Sequence, residues 1–177
     1  MSRRRRIVLV AFAVLAVGAL GATALANGTA TVKMRDACDA ESFNAVIGPG
    51  TCVDAGNVTF DEMIASLVKH GEHPLWRNTP TTRTVHHGSV VDVDNVGGEF
   101  HTFSHTEEFG GGFVPELNEV LGLDEIADGC LLAPGPTNAF VPAGGTGAID
   151  TAALEPGVHK FMCCIHPWMQ STLMVKD

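Results

Sequence analysis

Gly157-Val158-His159-Lys160-Phe161-Met162-Cys163-Cys164-Ile165-His166-Pro167-Trp168-Met169 carries both a strand signal and a chemical motif. Val158 to Cys163 reads as a strand leaving the turn Leu154-Glu155-Pro156-Gly157, and Ser171 to Val175 reads as the strand that follows it. On the short connection between them, Cys163, His166 and Met169 stand at the spacing C-x2-H-x2-M. A thiolate, an imidazole and a thioether therefore share one tight loop. Alternation turns Phe161 and Cys163 to one face, with Lys160, Met162 and Cys164 on the other. Cys164 is thus not expected to reach the same ion as Cys163.

One loop cannot close such a site, and a further imidazole is needed from elsewhere. His101 lies upstream in Asn95-Val96-Gly97-Gly98-Glu99-Phe100-His101-Thr102-Phe103. Thiolate and thioether are soft and favour Cu(I), while imidazole serves both oxidation states. Two histidines and a cysteine in a trigonal array with a distant methionine form the blue-copper electron-transfer site. Coordination would keep the cysteine deprotonated. The expected ligands are His101, Cys163, His166 and Met169 around one type 1 copper ion. Protein fills every position, which argues for a carrier over a catalyst. On an extended strand His101, Phe103 and His105 share a face. The asparagine-then-histidine spacing, with Phe103 following into the core, selects His101 over His105. His70, His73, His86 and His87 sit beside polar residues and turns and read as solvated, and His159 reads as structural.

These motifs resemble those of the cupredoxins, the plastocyanin and amicyanin family. Gly157 to His166 looks like that family's penultimate strand running into its ligand loop, and the short Cys-x2-His-Pro-aromatic-Met loop is closest to amicyanin. Asn95 with His101-Thr102-Phe103 looks like the upstream ligand strand, and Leu131-Leu132-Ala133-Pro134-Gly135 resembles a plastocyanin turn. The resemblance covers about Trp76 to Lys176. Cys164 departs from it, since a small hydroxyl residue often follows the ligand cysteine. It implies an all-β Greek-key β-sandwich, electron carriage, and a docking patch where the His166 edge reaches the surface beside Pro167 and Trp168.

Working outward, the chain from Leu75 onward consists of short runs between Gly, Pro and Asn. Thr84-Val85, Val90 to Val93 and Phe100 to Phe103 read as strands, with His87-Gly88 turning between the first two. Gly110-Gly111-Gly112 breaks the chain. Glu116 to Asp128 reads as irregular, with at most one helical turn. Before Leu75 the pattern predicts one helix, capped by Thr59 with Glu62 three residues later and stopped by Gly71. Phe60, Met63, Ile64, Leu67 and Val68 would form its packing stripe. The expected organisation is 1–26 as signal peptide, 27–74 as an N-terminal extension with one short helix, and 75–177 as the copper-binding domain. Removing the extension is expected to leave the copper spectrum nearly unchanged.

The first 26 of the 177 residues carry four arginines at positions 3–6, continue as an apolar run and end in Ala24-Leu25-Ala26. That is the form of a secretory signal peptide, the alternative being an uncleaved membrane anchor. Location is then secreted, periplasmic or at the outer cell surface. Taking away Arg3 to Arg6, four of the 11 basic residues, leaves seven against 20 acidic ones, a formal charge of −13. Such a surface repels nucleic acid and suits a basic redox partner. Five cysteines, at 38, 52, 130, 163 and 164, are an odd number, so at least one is unpaired. Cys38–Cys52, Cys38–Cys130 and Cys52–Cys130 all remain open as disulfides. Cys164 could pair with Cys130, rest as a small buried group or direct its backbone N–H at the ligand sulfur. Multicopper oxidases and copper nitrite reductases need further paired H-x-H motifs, which the sequence does not contain. The reading is therefore no enzyme, with a copper scavenging or delivery module as the alternative to an electron carrier.

Overall fold

A computed structural model describes residues 29–54 and 56–177. The expected signal peptide lies outside the described residues. Among these, nine strands form two sheets. The first sheet contains β1 (Ala30–Arg35), β2 (Arg77–Thr79), β4 (Val90–Asn95) and β7 (Thr146–Asp150), in the order β2-β1-β4-β7. The second contains β3 (Thr82–His86), β5 (His101–Thr106), β6 (Asn138–Val141), β8 (Gly157–Met162) and β9 (Gln170–Lys176), in the order β3-β9-β8-β5-β6. Three helices are added: α1 (Ala40–Val46), α2 (Phe60–His70) and α3 (Pro115–Leu121). No helix among the described residues is long and apolar enough to cross a membrane.

Period-two alternation builds the core. β1 buries Ala30, Val32 and Met34, and β4 buries Val91 and Val93 beside them. From the opposite sheet, Phe103 on β5 stacks on Phe161 of β8 with ring centroids 4.6 Å apart, and Leu173 and Val175 of β9 are buried with them. The two final strands pair as expected, antiparallel with Phe161 opposite Ser171. Gly88 turns the chain between β3 and β4 with φ at 76°, but the two do not form a hairpin. β3 runs parallel to β9 and β4 parallel to β1, so this turn carries the chain from one sheet to the other.

The boundary expected at residue 74 does not divide the fold. β1 lies between β2 and β4 in the first sheet, so the N-terminal segment supplies a strand of the sandwich itself. It also carries two helices, not one. α2 has the predicted capping box, Thr59 with Glu62, and a left-handed Gly71 at its end. It buries Met63 and Leu67, with Phe60 and Ile64 half-buried, whereas Val68 points to solvent at 70% exposure. α1 begins at Asp39, whose side chain caps Ser42 N–H, and a Cys38–Cys52 disulfide closes the loop that contains it. Trp76, almost fully buried, stacks on Phe43 of α1 with ring centroids 5.8 Å apart. The stretch read as irregular begins with α3, entered through Pro115 and ended by a left-handed Gly122.

Candidate metal centre

Strand β5 begins with His101, and its position is set from behind. Asn95, the last residue of β4, donates from Nδ2 to the carbonyls of Glu99 (2.7 Å) and Val141 (3.1 Å), and its Oδ1 accepts Gly97 N–H at 3.0 Å. The five residues between β4 and His101 are thereby folded into a fixed bend. Just past β1, Asp36 accepts the N–H groups of Gly98 (2.9 Å) and Glu99 (3.1 Å) and the Nε2–H of His101 at 2.8 Å. A side chain on Gly97 would collide with this carboxylate. With Nε2 committed to Asp36, His101 turns Nδ1 toward Cys163.

Cys163 and His166 come from the loop after β8. The loop is closed by Cys163 N–H donating to Met169 O at 3.0 Å and Met169 N–H to His166 O at 2.8 Å. Cys163 Sγ lies 3.7 Å from His101 Nδ1 and 3.8 Å from His166 Nδ1, and the two Nδ1 atoms are 3.2 Å apart. Thr102 N–H also points at the sulfur, at 3.4 Å. All three donors are buried, His166 being the most exposed at 2%. Separations of this size suit atoms sharing one first-row ion, for which bonds to nitrogen and sulfur are about 2.0–2.3 Å in the case of zinc. A thiolate with two imidazoles is the set that suits copper in an electron-transfer site, so the residues present fit the metal that the sequence implied. Met169 is fully buried on the same loop.

The electrostatics favour a thiolate. Burial alone would push the Cys163 thiol up, but its contacts with His101 and His166 outweigh that and hold it well below the usual thiol range. Burial likewise opposes charge on His166, yet the Glu99 carboxylate and Cys163 raise it. Glu99 Oε2 is 3.5 Å from His166 Nε2 and accepts the Trp76 indole N–H at 2.7 Å. Burial acts against the charge of Asp36 too, and its hydrogen bonds from His101, Gly98 and Glu99 bring it to about 2.

No family model matches the chain, and no curated protein does. Among solved structures it is similar to a purple cupredoxin from Nitrosopumilus maritimus, with 13% identity and a TM-score of 0.43, covering 83% of this chain and 99% of that one. It is also similar to oxidised plastocyanin from Dryopteris crassirhizoma, with 16% identity and a TM-score of 0.42, covering 83% of this chain and 100% of that one. A reduced Cu(I) form of an amicyanin mutant gives 14% identity and a TM-score of 0.41 over 86% of this chain and 87% of that one. The chain's own strand pairing gives a β-sandwich of a four-stranded and a five-stranded sheet.

Within this sandwich, His101, Cys163 and His166 come together, and Met169 stands on the same closed loop. His105 is placed elsewhere, with its Nε2 3.0 Å from Nδ1 of His159. Cys164 pairs with Cys130 on the far side of the sheet, where both lie in a small cluster with Ala127 and Met162. Cys163 is the free thiol among the described residues. The exposed imidazole edge expected at His166 is not there. Its Nε2 faces Glu99, and Trp168 lies edge-on to its ring with centroids 5.3 Å apart. Sequence reasoning missed Asp36, Glu99 and Trp76. Glu99 stands two residues before His101, a period-two position that could have pointed to it, whereas nothing local marks Asp36.

Proposed function

We propose that this protein is an exported mononuclear type 1 copper protein that carries single electrons between redox partners. The observation that carries the reading is the convergence of His101 Nδ1, Cys163 Sγ and His166 Nδ1 within 3.2–3.8 Å in a buried pocket. His101, Cys163 and His166 would hold the ion, with Met169 as the axial donor. Copper bound there supplies one-electron exchange between Cu(II) and Cu(I). The chain's own part is to hold the donors still. Asp36 fixes the His101 ring and its tautomer, Thr102 N–H donates to the sulfur, and the Cys163–Met169 hydrogen bond fixes the loop. Rigid donors keep the reorganisation accompanying a change of metal charge small.

Burial of all three donors favours a resident ion over one exchanged in scavenging or delivery. The disulfides Cys38–Cys52 and Cys130–Cys164 support export to an oxidising compartment. The acidic surface supports a basic redox partner, with association slowed by salt over a Debye length of about 8 Å at physiological ionic strength. The test is visible absorption of the copper-loaded protein. An intense sulfur-to-copper band toward the red end is expected, lost in Cys163→Ala. A colourless copper complex would overturn the reading.

A further inference from the structure

α1, α2 and α3 do more than cover one side of the sandwich. Between them lies a cleft of about 610 Å³ whose walls include Phe43, Phe60, Ile64 and Val120. Its most buried polar lining groups are Glu99, at 4% exposure, and His166, at 2%. Ligand sites for small molecules are typically concave and mostly apolar, about 300–1,000 Å³ in volume, with a few convergent polar groups that fix orientation. This cleft has each of those properties, and it reaches the one candidate ligand whose expected surface edge is buried.

We propose that the cleft is a binding site for a neutral, hydroxyl-bearing aromatic molecule of the phenol or hydroquinone class. Aromatic and aliphatic walls select a flat apolar body. The charged groups in the lining are the carboxylates of Glu99 and Glu116 and the His166 ring, with no lysine or arginine among them. An anionic ligand is therefore opposed, and a hydroxyl donor is favoured. Glu99 is placed to accept it, since both of its described contacts, to Trp76 and to His166, use Oε2 and a carboxylate offers about four acceptor positions. Glu99 is a binding residue here and Trp76 a positioning residue that fixes its carboxylate. The cleft is of a size to take a single small molecule, and His166 is among its lining residues. Binding itself needs no metal. Only use of the bound molecule as a redox partner would rest on the electron-carrier reading.

The test is calorimetric titration of the purified full-length protein, with and without copper(I), using a naphthalene diol. Methyl NMR shifts of Ile64 and Leu117 locate the probe. Saturable binding is expected, with shifts confined to the cleft. The dimethyl analogue, which lacks donors, and the dicarboxylate, which is anionic, should each bind at least about tenfold more weakly. Ile64→Trp, on α2, should fill the cleft and weaken the diol by a similar factor. Val120→Trp fills the same space from α3 and serves if the first variant does not fold. Absence of saturable binding, equal affinity for the three probes, or diol affinity unchanged in a folded tryptophan variant would overturn the inference. A blue copper band without diol binding would overturn it while leaving the copper reading intact.

Discussion

Asp36 and His101 meet at 2.8 Å across 65 residues of sequence, with both side chains fully shielded from solvent. A carboxylate behind a ligand imidazole fixes the ring and raises its basicity, and loss of such a partner typically costs 10–100-fold in metal affinity. Asp36→Asn keeps an acceptor of the same shape and removes the charge. It is expected to weaken copper binding by about tenfold and to raise the reduction potential, because less electron density reaches the ion. A chelator competition titration and a potentiometric titration measure the two effects. Unchanged values in a folded variant would show that Asp36 serves only to shape the Gly98–Glu99 bend.

The ligand loop makes a contrasting pair of predictions. Met169→Leu should keep copper bound and raise the potential, because the donor that favours Cu(II) is lost. Cys130→Ser combined with Cys164→Ser should leave the colour intact. It should lower stability by about 3–4 kcal/mol, the scale for a disulfide closing a loop of this length. Spectra and denaturant melts of both variants check this. A colourless double-serine protein that remains folded would mean that the disulfide shapes the metal centre.

Truncation separates the expected boundary from the observed one. A chain beginning at Thr29 keeps β1 whole and should fold and bind copper. One beginning at Leu75 lacks the strand between β2 and β4, and Asp36 with it. It should fail to give a cooperative melt. Dichroism and copper titration of the two chains decide the matter, and a folded, blue product from the shorter one would refute it.

Asp128 links acid stability to the end of β5. Burial raises its carboxyl, but the Thr106 hydroxyl and the backbone N–H of Glu107 lower it further, so its net shift is downward. Its contribution is then present above the unfolded carboxyl value of about 3.9 and is lost as pH falls through the lower folded value. Asp128→Asn should be less stable than the parent at neutral pH and equal to it in strong acid. Urea melts at the two pH values give the answer, and a gap that persists in acid would rule out a charge effect.

What the sequence revealed followed from local pattern. Gly157 to Met169 and the Asn95-to-Phe103 stretch specify strands and a closed loop within a few residues of one another, so these could be read directly. α2 was equally legible, because Thr59, Glu62 and Gly71 are short-range caps. β1 was legible in principle: Ala30-Thr31-Val32-Lys33-Met34-Arg35 alternates cleanly, but a six-residue run standing alone gives no sign of which strand it will join. Asp36 could not be found this way, since its partnership with His101 exists only after β1 has paired in parallel with β4. The burial of His166 was hidden for a similar reason. It depends on Trp76 and Glu99 meeting beneath helices that belong to different parts of the chain.

The adjacency of Cys163 and Cys164 has a consequence for maturation. Under the proposed function, three thiols, at 130, 163 and 164, would compete for one partnership in an oxidising compartment, and a swap joining Cys130 to Cys163 would remove the proposed copper thiolate. Adjacent side chains leave an extended chain on opposite sides. Once β5 and β8 have paired, Cys163 is sealed in the main core while Cys164 faces Cys130. The two sides of one sheet would therefore act as a protecting group during export, keeping one sulfur reduced while its neighbour is oxidised.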